Sequence, residues 1–177
     1  MAAEVEVTKG AIAKALNLDK KNVVVIEQAG FHIDMETRPI GNNKVMVSDL
    51  NASVQVLTQS IGELRATAPS AAKGKAAIDA EIKQLESLRT RTQDSIEQGD
   101  QHLLDRKAKT LRSAGIDVVR AATNFGDIAS TYSPLDKGRR GPINVNFANG
   151  IAATDKRGTP YMITNLSASD TLNKQFT

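Results

Sequence analysis

The chain has 177 residues, of which 40% are hydrophobic, 24% charged and 3% aromatic, and its formal net charge is +3. This composition suits one domain with a sizeable core, or a compact part with an extension, and it argues against global disorder. Basic and acidic residues are interspersed, so we expect no specific nucleic-acid surface, and no stretch approaches the ~18 apolar residues of a membrane span.

The residue types that are missing narrow the chemistry. The sequence contains no cysteine, which excludes disulfides, thiolate metal ligands and a cysteine nucleophile among these residues. Its two histidines, His32 and His102, argue against a histidine-based zinc site. We therefore predict neither a metal nor a cofactor. No charged start followed by an apolar core is present, so we predict a cytoplasmic protein and leave export by another route open.

The first part of the chain predicts a helix followed by a strand. Residues 1–7 are interpreted as a frayed or tag-like start. Apolar residues at helical spacing begin after Thr8, which is a good capping residue, and the helix should end near Asn17. The β-branched run Val23–Ile26 then predicts a strand that is buried on both faces.

The next segment contains a candidate catalytic pair, His32 and Asp34. If residues 31–35 are extended, the alternation of side chains places this imidazole and this carboxylate on one face. Such a pair is typical of acid and base chemistry, although the spacing alone is weak evidence. Residues 39–43 predict a tight turn, and Val45–Val47 predicts another short strand.

The middle of the chain predicts helices. A helix of about 17 residues should begin after Asp49 and end before Pro69, because its apolar residues recur at steps of three and four. A longer helix over about residues 75–113 carries a similar stripe, which Gly99 weakens. We expect these helices to pack as a hairpin or a coiled coil.

The last part predicts short strands again. Gly115 is a stop signal for the helical region, and residues 123–141 read as a long loop closed by the basic stretch Lys137–Arg140. The expected regular elements are a strand over 116–120, a half-buried strand from Ile143 through Phe147 toward Ile151, a hairpin turn over 155–158 with a returning strand over 161–163, and a final helix from Thr171.

The predicted architecture is therefore α/β, in the broad α+β sense, with short sheet elements interrupted by helices. We divide the chain into residues 1–49, which carry the His-x-Asp pair, a helical insertion over 50–114, and strands, hairpin and final helix over 115–177. No phosphate-binding glycine pattern is present.

Several of these segments together resemble a known superfamily. Their order and context are similar to the His-x-Asp region of the guanidino-group-modifying enzymes, the pentein fold, which includes agmatine and arginine deiminases, protein-arginine deiminases and amidinotransferases. The resemblance covers about residues 8–49 and 115–177, and the segments that carry it are Val23–Ile26, Gly30–Met35, Lys44–Val47, Ile116–Val119, Ile143–Ile151 and the hairpin to Met162.

The resemblance implies roles for individual residues. His32 would act as general acid and base, and Asp34 would bind guanidinium nitrogens. Arg38 would accept a substrate carboxylate, although an ordinary surface residue before Pro39 explains it equally well. Asn144, Asn146 and Asn149 would support the site, while polar alternation on an open strand face is the other explanation for the first two. The ligand would be arginine or another guanidino compound.

The departures from the family pattern limit the expected activity. The family uses a cysteine nucleophile, which this chain lacks, and an acidic residue from an earlier repeat. A pentein has about five repeats, whereas two are visible here. We expect an internal piece of a deiminase-like hydrolase or amidinotransferase, or a relative that lost the chemistry, and in either case no turnover by this chain alone.

An alternative assigns the chain to another class. In that hypothesis it is a protein-interaction module, in which the helical hairpin of residues 50–113 binds a partner and the sheet is a scaffold. His102 would be a solvated helix residue in both cases, and Lys137–Arg140 a mobile basic loop. The sequence does not identify the guanidino substrate or the oligomeric state.

Overall fold

The computed structural model describes residues 2–27, 33–67, 74–126, 145–147, 150–164 and 170–174. They form an α+β fold. The helices are α1 (Ala2–Ala15), α2 (Leu50–Thr67), α3 (Lys75–Glu97), α4 (Asp100–Ser113) and α5 (Asp170–Asn173). The strands are β1 (Thr37–Gly41), β2 (Lys44–Ser48), β3 (Asp117–Ala121), β4 (Asn124–Phe125), β5 (Val145–Asn146), β6 (Gly150–Thr154) and β7 (Pro160–Thr164).

The main sheet has three strands in the order β1-β2-β3. β1 and β2 form an antiparallel hairpin, and its turn residues Asn42 and Asn43 have φ values of 49° and 57°. Two left-handed residues define the turn that best matches the twist of a hairpin. β2 and β3 are parallel, with Val45 opposite Val118. Because parallel neighbours need a long crossover, the segment predicted as an insertion is the connection between two adjacent strands.

The helices α2 and α3 pack against each other as a hairpin, as the sequence predicts. Their contact uses residues of the predicted apolar stripe, which are buried in one cluster with Phe125 of β4, Phe147 just after β5 and Leu172 of α5. The residues of α2 and α3 in this cluster are Leu57, Ile61, Leu64, Leu85 and Leu88. A partner that binds this hairpin would therefore have to use another of its faces. Supercoiling of the pair stays a prediction.

The single helix predicted over residues 75–113 is wrong. α3 ends at Glu97 and α4 begins at Asp100. Gly99 lies between them with a φ of 101°, a conformation that a residue without a Cβ adopts at little steric cost. The Ser95 hydroxyl donates to the Asp100 carboxylate at 2.5 Å across this break. Gly99 thus turns the chain, and the turn returns α4 toward the sheet.

The predicted start of the chain also needs correction. α1 begins at Ala2, so residues 2–7 are helical and not frayed. Thr8 does not cap the helix, because its hydroxyl donates to the carbonyl of Glu4 inside the helix at 2.9 Å. The predicted end is confirmed, since α1 stops before Asn17, which has a φ of 53°.

The strand predicted over Val23–Ile26 is wrong as well. This segment pairs with no strand of the described chain, and Val25 is 39% exposed, so the segment is not buried on both faces. Val24 and Ile26 pack instead against a cluster formed by β2, α2 and α4: Val47, Leu50, Leu104 and Leu111. The apolar character of Val24 and Ile26 therefore reflects packing against this cluster without strand pairing.

The elements after α4 follow the prediction in part. Gly115 has a φ of 80° and ends the helical region, and β3 follows as expected. The segment predicted as a loop from Thr123 begins instead with β4, which pairs with β5. Residues 127–144, including Lys137–Arg140, lie outside the described chain.

The final hairpin is confirmed. Asp155 forms its turn, because its side chain accepts hydrogen bonds from the backbone N–H groups of Arg157 and Thr159, both at 2.8 Å. Ile151 does not extend the strand before it, since it belongs to β6 and faces Ile163 of β7. The predicted final helix is α5. In the described part of the chain, no helix combines the length and apolar character that a membrane crossing requires.

Two glycines of the helical region, Gly99 and Gly62, give a matched test of the break between α3 and α4. Replacing Gly99 by Ala forces a Cβ into the left-handed region and should lower the free energy of unfolding by about 1–2 kcal/mol. Replacing Gly62 by Ala should raise the free energy of unfolding by about 0.5–1 kcal/mol. Gly62 lies within α2, and no atom lies within 4 Å of an added Cβ. Urea unfolding measures both, and equal effects would contradict the assigned break.

Candidate functional site

Asp34 lies shortly before β1, in a single 3₁₀ turn over Ile33–Met35. The backbone N–H of Glu36 donates to the carbonyl of Ile33 at 3.1 Å, which closes this turn. The extended conformation predicted for residues 31–35 is therefore wrong over its described part, and side-chain alternation does not place Asp34. His32 lies outside the described residues.

The carboxylate of Asp34 faces a guanidinium group of the same chain. Arg38 Nη2 is 3.8 Å from Asp34 Oδ2, and the side chain of Asp34 remains 47% exposed while that of Arg38 is 21% exposed. The structure therefore brings together two of the predicted substrate-binding residues. A half-exposed carboxylate beside a guanidinium can exchange that partner for a guanidinium from solution.

The sheet places Asp34 at a particular edge. β1 runs antiparallel to β2, so the start of β1 lies beside the carboxyl end of β2, and the N–H of Ser48 donates to the carbonyl of Glu36 at 2.9 Å. β3 ends at the same edge, where the N–H of Asp49 donates to the carbonyl of Ala121 at 2.8 Å. In open α/β sheets, ligands usually bind beyond the carboxyl ends of parallel strands.

Hydrogen bonds connect this edge of the sheet to the second half of the chain. The hydroxyl groups of Ser48 and Thr123 are 2.7 Å apart and buried, and the N–H of Phe147 donates to the carbonyl of Thr123 at 2.7 Å. Asn146, one residue earlier, pairs with Asn124 across β4 and β5. The structure thus brings the backbone of Asn146 to the edge that carries Asp34, whereas Asn144 and Asn149 lie outside the described residues.

A buried ion pair, which the sequence interpretation missed, lies beneath this edge. The Lys107 ammonium contacts the Glu36 carboxylate, and neither side chain is exposed to solvent. Lys107 comes from α4 and Glu36 from the residue before β1. We name the linked residues Glu36, Ser48, Lys107 and Thr123 the edge cluster; all four are buried. A buried ion pair is costly to form, so both groups must stay paired for the arrangement to be stable.

The environment of Lys107 changes its acidity. Burial lowers the pKa of Lys107 to about 8, and the nearby negative charge of Glu27 opposes this effect. A second ion pair lies next to the first, because Arg106 donates from Nε and Nη2 to Glu27 Oε2 at 3.0 and 2.7 Å. This hydrogen bond holds the pKa of Glu27 below its usual value. His102, on the same helix, is exposed as expected.

The described residues contain no group of three or more His, Cys, Asp or Glu side chains placed to hold a metal ion. Comparison with known proteins adds no assignment: no protein-family model matches the chain, and neither the curated proteins nor the solved structures include a match. Any function of this chain must therefore be inferred from its own residues.

The buried pair predicts strong coupling between its two members. Glu36→Met and Lys107→Met should each lower the free energy of unfolding by about 3–5 kcal/mol, because each leaves the other charge buried and unpaired. The double variant should recover most of that loss, since no unpaired charge remains. Urea unfolding of the four proteins measures the coupling, and additive losses would contradict the pairing.

The lowered pKa of Lys107 also predicts a pH dependence of stability. Between the folded pKa of about 8 and the unfolded value of about 10.4, the unfolded chain binds a proton that the folded chain lacks. The contribution of Lys107 to stability is therefore smallest below pH 8 and rises through this window. Urea unfolding of the wild-type chain and of Lys107→Met at several pH values measures this contribution. The same pH dependence of the free energy of unfolding in both proteins would refute the lowered pKa of Lys107.

Proposed function

We propose that this chain provides the guanidinium-binding part of a guanidino-group-modifying enzyme. In this proposal Asp34 binds the guanidinium of arginine or an arginine-like compound, and His32 transfers protons during deimination or amidino transfer. Asn146, with Asn144 and Asn149, would support the site. The observation that carries the proposal is the half-exposed carboxylate of Asp34, which already faces the guanidinium of Arg38.

The physical basis of the proposal is the match between the two groups. A guanidinium offers a planar set of N–H donors that fits the two oxygens of a carboxylate. Asp34 lies on a short turn that is fixed to the sheet through Glu36, so its backbone position is defined before a ligand arrives. Preorganisation of this kind reduces the entropy that binding must offset.

The proposal separates binding from turnover. The thiol chemistry of the resembled family needs a cysteine, and the 177 residues contain none. The nucleophile would have to come from residues outside this sequence. We therefore expect this chain to bind a guanidino ligand and to release neither citrulline nor ammonia from it.

The test is a calorimetric titration with arginine and with agmatine, which lacks the carboxylate. Asp34→Asn should weaken both affinities by about 10- to 100-fold, because it removes a charge-assisted pair. Asp79→Asn, at an exposed position on α3, serves as the matched control and should change neither affinity. Absence of binding by the wild-type chain, or equal affinities for wild type and Asp34→Asn, would refute the proposal.

The two ligands also assign the role of Arg38. If Arg38 accepts the substrate carboxylate, Arg38→Gln weakens the binding of arginine and does not weaken the binding of agmatine. If Arg38 only competes for Asp34, the same change strengthens the binding of both ligands.

A further inference from the structure

The two faces of the main sheet have different neighbours. Val47 of β2 and Val118 of β3 pack in the cluster that contains Leu104 of α4. Side chains alternate along a strand, so Met46 and Val119 point to the opposite face. Among the described residues, neither of them belongs to the two core clusters. The face turned away from α4 therefore has apolar side chains of its own.

The register of the strands places Arg38 in line with these two residues. Arg38 is opposite Met46 in the antiparallel pair, and Met46 is opposite Val119 in the parallel pair. Residues that are opposite in register have side chains on the same face, and neighbouring strands are about 4.8 Å apart. The three side chains therefore form a row about 10 Å long across the sheet, from β1 to β3. We name Arg38, Met46 and Val119 the cross-strand row.

The cross-strand row begins beside the carboxylate of the candidate site. The guanidinium of Arg38 lies 3.8 Å from the carboxylate of Asp34, although the Arg38 side chain is only 21% exposed. An arginine has an aliphatic stem that packs along apolar surface while its charged end reaches away from it. Arg38 is thus itself an alkyl guanidinium that starts on this face and has its charged end at Asp34.

The other end of the cross-strand row is open to solvent. Val119 is 41% exposed and lies on β3, an outer strand of the main sheet, whereas Met46 is 7% exposed. Single exposed apolar residues are common on protein surfaces, so exposure alone assigns Val119 no role. Its place in a row that starts beside a carboxylate does. A carboxylate at one end and apolar side chains toward the other complement a ligand that joins a cation to an aliphatic chain.

We infer that Met46 and Val119 bind the aliphatic chain of a guanidino ligand whose guanidinium is bound by Asp34. This inference rests on the proposed function and narrows its substrate class to guanidines that carry an alkyl chain. Met46 provides the buried part of the contact, and Val119 provides the part that a longer chain reaches. Val119 is therefore a specificity-determining residue for chain length.

Calorimetric titration with methyl-, ethyl-, propyl- and butylguanidine tests the inference, because these ligands differ by one methylene at a time. The affinity of the wild-type chain should rise by about two- to fourfold for each methylene, the upper value being that of full burial. Val119→Ser should reduce the rise for the last two methylenes to less than about 1.5-fold, because it removes apolar surface. Val119→Ile keeps that surface and should preserve the rise.

Another exposed valine provides the matched control. Val7 lies on α1, outside the sheet, and is 73% exposed. Val7→Ser should leave all four affinities unchanged. The affinity of Val119→Ser for methylguanidine should also equal that of the wild-type chain, because this ligand has no chain that extends to β3. Equal binding of methylguanidine shows that the substitution leaves the carboxylate end of the site intact.

The same titrations separate this inference from the proposed function. If the wild-type chain binds none of the four guanidines, the proposed function fails and the inference fails with it. If the wild-type chain binds all four with equal affinity, the cross-strand row does not contact the chain of the ligand, and the inference alone is overturned. A rise in Val119→Ser as steep as in the wild-type chain would overturn the role of Val119 in the same way.

Discussion

The buried contact between Glu36 and Lys107 is the constraint on which the arrangement of this chain depends. Removing two charges from water is costly, and the mutual attraction offsets that cost only when both groups stay in place. Glu36 is fixed by the strand edge, where its carbonyl accepts a hydrogen bond from Ser48. Lys107 is fixed by α4, whose residues Leu104 and Leu111 pack with Val47 and Leu50. The helix and the edge of the sheet therefore hold each other in position.

The parallel pairing of β2 and β3 explains why α4 is available for this role. A parallel pair cannot be closed by a tight turn, so the chain must leave the sheet and return. Here it leaves as the α2–α3 hairpin, reverses at Gly99 and returns along α4. The crossover that the topology requires thus also provides the support beneath the start of β1. α4 is therefore both a part of the crossover between β2 and β3 and the helix that packs beneath the start of β1.

Signals confined to neighbouring residues predicted much of the fold. The Asn42–Asn43 turn, the Asp155 turn and the stop at Gly115 are local, because backbone conformation at each depends on its own residue types. The errors arose where tertiary contacts decide. Val24 and Ile26 are apolar because they pack against a cluster from β2, α2 and α4. In the sequence, Lys107 has the appearance of a solvated cation, because its partner Glu36 is 71 residues away. The predicted alternation at Asp34 failed because a 3₁₀ turn replaces the strand.

The ion pair between Asp34 and Arg38, at the start of β1, is one with which a ligand of the proposed site would have to compete. Its separation of 3.8 Å exceeds that of a charge-assisted hydrogen bond, so this contact holds the carboxylate less firmly than a bidentate pair would. Under the proposed function, a guanidino ligand that meets both oxygens of Asp34 would gain the closer geometry, and a ligand that also carries a carboxylate could engage Arg38. Arginine satisfies both groups and agmatine only one. If Arg38 accepts the substrate carboxylate, as one form of the proposed function has it, the charge pattern at this edge would favour the amino acid over the amine.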